Sequence, residues 1–255
     1  MPYVAEVLDT IMKILITNDD GINAEGLRVL AIELRKNHEV WIFAPDQERS
    51  GVSHAMTLKS PGKVKKIGDR EYSCSGTPAD CVILSSLGVL PFRPDIIVSG
   101  INRGPNLGTD IIYSGTCGAA RQAALHGIPG IAVSCATYKE PFLYAASAFF
   151  VSQHLEEIVN RCSPGMFINI NAPSSEAQNL IGRWAKPCER RYNDKLSSFE
   201  APDGSMYCFL HDSHIVTTDS DASDHSIVTS GDVSISAILV APQTSAAFIA
   251  GTVFA

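Results

Sequence analysis

Short apolar runs alternate with longer amphipathic stretches along most of this chain. Lys13-Ile14-Leu15-Ile16-Thr17 is a buried-strand signal, closed by the turn formers Asn18-Asp19-Asp20-Gly21. Leu27, Leu30, Ala31 and Leu34 follow at i, i+3, i+4 and i+7, which is one face of a helix. Val40-Trp41-Ile42-Phe43-Ala44 predicts a second strand, stopped by Pro45. Strand, helix and strand within about 30 residues make a βαβ unit. Thr77-Pro78-Ala79-Asp80 then supplies a capping hydroxyl, a first-turn proline and an acid three residues on, so a helix starts there and stops near Gly88. Residues 95–99 read as a strand, 114–126 as a helix stopped by Gly127 and Pro129, 130–134 as a strand, 142–160 as a helix and 166–170 as a strand. Residues 13–171 therefore predict an α/β core, a doubly wound, mostly parallel Rossmann-like sheet.

Beyond Asn171 polar and turn-rich stretches (172–178, 190–205, 219–230) alternate with short strand candidates such as 235–240. Residues 172–255 read as an α+β extension, and 1–12, which lack a strand pattern, as an N-terminal extension. Composition narrows the function classes. The 255 residues are 45% hydrophobic and 18% charged, which excludes a disordered chain. Lys and Arg number 20 against 27 Asp and Glu, a net charge of −7. That balance argues against nucleic-acid duplexes and anionic membranes as partners, since both select a basic face. No apolar run approaches the roughly 18 residues that span a bilayer. The first ten residues hold Glu6 and Asp9 but no basic group, so a secretory leader is not expected and the cytoplasm is. Seven cysteines without a C-x-x-C spacing read as reduced thiols rather than a disulfide framework or zinc knuckle.

In an open parallel sheet, ligands bind outside the carboxyl ends of the strands. Three loops there are polar. Asp19 and Asp20 stand side by side after the first strand, where adjacent carboxylates repel unless a cation or protons neutralise them; the same turn could simply cap a helix. Residues 99–110 carry glycines at 100, 104 and 108 beside Asn102, Asn106, Thr109 and Asp110, and twelve residues is long for such a connection. Ser114-Gly115-Thr116 opens a helix, where free N–H groups and the helix dipole favour anions. A fourth segment, 46–54, brings Ser50 and His54 to the same edge. Convergence of these loops would offer oxygen donors without cysteine, which suits Mg²⁺ or Mn²⁺. A hard cation beside a helix N-terminus suggests phosphate-ester chemistry. Neither a P-loop nor a G-x-G-x-x-G fingerprint is present.

Ile14–Gly21, Ser50-Gly51, Cys74-Ser75-Gly76-Thr77-Pro78-Ala79-Asp80-Cys81, Val98–Asn102, Asn106–Ala120 and Gly127-Ile128-Pro129 together resemble the SurE (survival protein E) nucleotidase family, in order and densely over 13–171. The resemblance implies a metal-dependent phosphatase acting on 5′- and 3′-nucleoside monophosphates, with short polyphosphate as a further substrate. It implies one divalent ion per subunit, held by Asp19, Asp20, Ser50 and Asn102, with Asp19 and Asn106 catalytic. It implies phosphate contacts from Gly104, Asn106, Gly108, Thr109, Ser114, Gly115 and Thr116. It further implies a homodimer or homotetramer in which the C-terminal extension is exchanged between subunits. Departures fall late in the chain: Arg190-Arg191-Tyr192-Asn193-Asp194 is not followed by proline, and Ala237 stands where proline is usual.

Other polar residues have bland and functional readings side by side. His54 could shuttle protons or only brace its loop, His211 and His214 read as a solvated pair, and His225 is a candidate for leaving-group protonation. Tyr113 could stack on a base or pack, Cys81 and Cys117 read as core residues, and Asp80 reads as a helix cap. A haloacid-dehalogenase-type phosphatase would need D-x-D rather than adjacent acids. A non-catalytic nucleotide or metal sensor on the same fold is the second function class.

Overall fold

The computed structural model describes residues 11–243, so most of the predicted N-terminal extension and the end of the C-terminal one lie outside it. Five strands form the parallel heart of the sheet: β1 (Lys13–Thr17), β2 (Glu39–Pro45), β5 (Ile96–Arg103), β6 (Gly130–Cys135) and β7 (Met166–Ala172). With β3 (Val64–Gly68), β4 (Glu71–Cys74), β8 (Gly182–Trp184) and β11 (Val233–Leu239) they make a nine-stranded sheet of order β3-β4-β2-β1-β5-β6-β7-β11-β8. Only the β3–β4 and β7–β11 pairs within it are antiparallel. This is the α/β architecture that the periodicity predicts.

Burial on both faces explains why the central strands are continuous apolar runs. Ile14 and Ile16 point to one side, where they pack with Leu27, Leu30 and Leu34 of α1 (Glu25–Leu34) and with Val151 and Leu155 of α4 (Ala145–Arg161). Leu15 points to the other, against Cys81 and Val82 of α2 (Pro78–Ser86) and Ala119 and Ala123 of α3 (Gly115–Leu125). The helix pairs thus cover opposite faces in three layers. At roughly 25 cal/mol per Å² of apolar surface, these faces are the main stabilising term.

Several boundaries differ from the sequence reading, each for a physical reason. The edge pair β3–β4 is polar and partly exposed, so no buried face imposes an alternation to detect. β5 continues to Arg103, past Ser99, with its register against β6 shifting between Ser99 and Asn102. The first five of the twelve residues of the expected loop, 99–103, are therefore strand, and Asn102 is held by the sheet. α4 starts at Ala145 rather than 142, because the Leu143 amide donates to Ser174 Oγ (2.9 Å) and holds that stretch off the helix. The turn-rich reading of 190–205 and 219–230 is also corrected. β9 (Glu189–Glu200) and β10 (Met206–Thr218) form a separate antiparallel hairpin, and α5 (Asp224–Thr229) follows, capped by Ser223. Beyond its root β9 is exposed at nearly every position, so its sequence lacks the alternation of a half-buried strand.

Besides the pairing of β11 with β7, one buried carboxylate ties the extension to the core. Asp224 accepts from the amides of Gly108 (2.7 Å) and Cys188 (2.9 Å). Gly108 sits at φ +53°, and a Cβ there would lie 2.1 Å from the Cys188 carbonyl oxygen, so only glycine permits this approach. Asp224→Ala leaves two buried N–H groups without partners and is expected to lower unfolding free energy by about 2–4 kcal/mol, read by chemical denaturation at pH 7.

Candidate functional site

β1 has β2 on one side and β5 on the other, so a crevice opens beyond their carboxyl ends, where the chain connections diverge. A cleft of about 200 Å³ lies there, lined by Asp19, Ser50, Asn102, Asn106 and Ser114 among others. These five residues come from four different loops of the sequence, and the fold brings them together. Asp20, the next residue on from Asp19, lines an adjoining cleft of about 600 Å³ with Glu25, Glu48, Arg103 and Tyr144.

Asp19 is only 3% exposed. Its Oδ1 accepts from Thr116 Oγ1 at 2.5 Å, and the amides of Gly115 and Thr116 at the start of α3 face the carboxylate. Burial nevertheless outweighs these donors and raises its pKa above the ordinary carboxylate value. A Cβ on Gly115 would come within 2.9 Å of the Asp19 Cβ and Oδ2, so the helix can press on this acid only through a glycine. Asp20 is pushed up to about 6, first by burial and then by the charge of Asp19; its Oδ2 accepts from the Arg103 amide at 3.0 Å. Two neighbouring carboxyls that both resist ionisation are what a bound cation would relieve.

The remaining oxygens suit the same ion. Asn102 Nδ2 donates to the Gly104 carbonyl (2.8 Å), which fixes the amide and turns Oδ1 toward Thr116 Oγ1 at 3.4 Å. Asn102 Oδ1 and Asp19 Oδ1 therefore flank one hydroxyl. Ser50 is exposed, its Oγ donating to Glu48 Oε1 at 3.0 Å. Carboxylate, amide and hydroxyl oxygens are hard donors and fit Mg²⁺ or Mn²⁺. Among the described residues no group of three or more His, Cys, Asp or Glu is arranged to hold a metal.

The predicted phosphate contacts divide. Ser114 Oγ caps α3 by accepting from the Cys117 amide (3.0 Å), which leaves its own proton free to donate. Asn106 is held by its backbone: its amide donates to Asn171 Oδ1 (2.8 Å), and its carbonyl accepts from Asn169 (2.8 Å) and Asn171 (3.1 Å). One Asn106 side-chain hydrogen goes to Ser134 Oγ (2.8 Å), and the second remains for the cleft. The helix start expected to be free is not: Gly115 and Thr116 serve Asp19. Gly104 lends its carbonyl to Asn102. Gly108 and Thr109 face the extension instead, the first bonded to Asp224 and the second, through Oγ1, to both the N–H and the carbonyl of Arg190 (2.7 Å each).

Sequence reasoning missed the group beside the acids. Arg190 and Asp110, 6% and 7% exposed, form a buried ion pair at 2.5 Å. Tyr138 and Tyr192 hydroxyls bond to Arg190 (2.9 Å) and Asp110 (2.5 Å) respectively, and both rings line the cleft with Tyr113. The available signal was Arg190-Arg191-Tyr192, two cations and an aromatic in a stretch otherwise read as turn. Other candidates fall elsewhere. His54 Nε2 donates to Gln122 Oε1 at 2.7 Å on the flank of α3, with its pKa lowered by burial, and His225 pairs with Asp219 (2.7 Å). Neither lines the two clefts. The His211 side chain lies outside the described residues. Asp80 caps α2, and Cys81 and Cys117 are buried.

Comparison with known proteins agrees with the fold. Residues 14–194 match the family model described as survival protein SurE. A "5'-nucleotidase SurE" of Thermosipho melanesiensis is 40% identical over 235 residues, covering 90% of this chain and 92% of its own. One of Geotalea uraniireducens is 42% identical over 230 residues, covering 88% and 91%. The crystal structure of the SurE protein from Aquifex aeolicus superposes with a TM-score of 0.77 at 30% identity, over 91% of this chain and 94% of that one.

Proposed function

This chain belongs to the survival protein SurE family, and we propose that it is a divalent-metal-dependent phosphohydrolase of 5′- and 3′-nucleoside monophosphates, with short polyphosphate as a further substrate. The observation that supports the metal dependence most is the Asp19–Asp20 pair: two carboxyls raised by burial, Asp20 further by the charge of Asp19, beside the Asn102 carbonyl oxygen. Asp19, Asp20, Ser50 and Asn102 would hold one Mg²⁺ or Mn²⁺. Such an ion supplies Lewis-acid charge to a phosphoryl oxygen and acidity to water.

The chain's own groups have distinct tasks in this reading. The α3 dipole and the Thr116 hydroxyl favour Asp19 in its ionised, ligating form. Ser114 Oγ–H and the second amide hydrogen of Asn106 donate to phosphate oxygens and stabilise the charge spread over them in the transition state. The backbone bonds from Asn169 and Asn171 fix Asn106 in advance, so little reorganisation is needed at the moment of reaction. Tyr113, exposed on the cleft rim, offers a ring on which a base can stack.

Phosphate release from a panel of 5′- and 3′-nucleoside monophosphates, in EDTA and with Mg²⁺ or Mn²⁺, tests the reading. Release is expected only with metal and is expected to fall at least about 100-fold in Asp19→Asn, whose folding in EDTA stays intact. Nucleotide binding without release from any substrate would favour a sensor instead.

The extension supports self-association. Leu196 and Leu210 are cross-strand partners on the hairpin, 62% and 77% exposed, and Phe199 stacks on Tyr207 and Phe209 at 5.5 and 5.7 Å without cover. We propose a homodimer or homotetramer joined through this arm. Light scattering is expected to give a multiple of the chain mass, and Leu196→Glu with Phe209→Glu is expected to shift it toward the single chain.

A further inference from the structure

The loop that carries Ser50 contributes no secondary structure of its own, yet it is gripped along its length by the segment 74–80. The Asp46 amide donates to the Cys74 carbonyl at 2.7 Å, and Arg49 reaches across to the Ser75 carbonyl at 2.6 Å. Further along, Thr77 Oγ1 donates to the Ala55 carbonyl at 2.7 Å. Asp80 closes the grip: its Oδ1 accepts from the Thr57 amide (2.9 Å) and its Oδ2 from the Thr57 hydroxyl (2.6 Å). The opposite side of the loop is held by α3's approach, where the Ser53 amide and hydroxyl donate to the carbonyls of Tyr113 (2.9 Å) and Ile112 (2.6 Å). Between these anchors Ser53 takes φ +57°, a left-handed conformation that a residue with a Cβ keeps only when its surroundings hold it there.

A helix cap alone does not require this arrangement. Asp80 Oδ2 already serves the Thr77 amide (2.8 Å) in the capping box of α2, and one oxygen suffices for that. The other oxygen, and a second bond to the first, are spent on Thr57. Neither Asp80 nor Thr57 lines the cleft.

We infer that Asp80 and Thr57 are positioning residues for the cation site: the segment 74–80 is a clamp that fixes the Ser50 loop against Asp19. The inference rests on the metal-dependent reading above. Supporting bonds around ligands typically change metal affinity by about 10- to 100-fold when removed. Arg49 makes the link direct, because its own amide donates to the Asp19 carbonyl at 2.6 Å while its guanidinium holds Ser75.

Thr57 is exposed, so its substitution tests the clamp without disturbing α2 or the core. Mn²⁺ affinity, measured by the electron paramagnetic resonance of free ion, and hydrogen exchange of amides 49–57 in EDTA are compared in wild type, Thr57→Val and Thr57→Ser. Thr57→Val is expected to weaken Mn²⁺ binding about 10-fold and to speed exchange across the loop, while Thr57→Ser, which keeps the hydroxyl, stays within about 2-fold of wild type. Wild-type affinity and exchange in Thr57→Val would overturn the clamp with the cation reading intact. A wild type that leaves all Mn²⁺ free would overturn the cation reading, and the positioning role with it.

Discussion

Two carboxylates cannot be buried side by side at neutral pH unless something answers their charge, and the carboxyl edge of this sheet is organised around that constraint. Removing a carboxylate from water costs several kcal/mol even after the protein relaxes. Against this, α3 offers its N-terminus, worth up to about 2 kcal/mol in a partly buried geometry, and the Thr116 hydroxyl offers a charge-assisted bond worth about 1.5–3 kcal/mol. Burial outweighs these contributions, so Asp19 stays above its ordinary pKa, while burial and then the charge of Asp19 push Asp20 up to about 6. In the metal-dependent reading proposed above, a hard cation would complete this pair.

How much of this was legible in the sequence follows from which residues had a buried face to declare. The five parallel strands and α1 to α4 announce themselves because their apolar positions are sealed on a core. Thr77-Pro78-Ala79-Asp80 gave the start of α2 because capping is a local interaction, written within four residues. Asp19, Ser50, Asn102 and Asn106 stood in polar loops placed at the carboxyl edge by the strand pattern, but their separate roles came from the family resemblance, since nothing local distinguishes a cleft residue from a turn residue. The hairpin stayed hidden because β9 and β10 pair with each other and seal on nothing. Arg190 stayed hidden with it: its partner Asp110 lies 80 residues away, and no periodicity records such a contact.

The extension is consequently more than an appendage to the core. Asp224 ties it to the loop that leads from Asn106 into α3, and Arg190 buries its guanidinium against Asp110 on that same stretch. Removing either partner of a buried ion pair is expensive because the survivor stays desolvated, so Arg190 and Asp110 depend on each other at this junction. The lining of the cleft is thereby made of residues from both the core and the extension, with Tyr138 and Tyr192 hydrogen-bonded to the pair.

The root of the hairpin and its exposed end are one continuous strand. Arg190 and Tyr192, which shape the cleft wall, stand second and fourth in β9, and the strand runs on to Glu200 among uncovered aromatic residues. A hydrogen-bonded ladder transmits displacement along its length better than a loop does. A partner resting on the exposed end of the hairpin would thus press on the same strand that carries Arg190 and Tyr192 to the cleft.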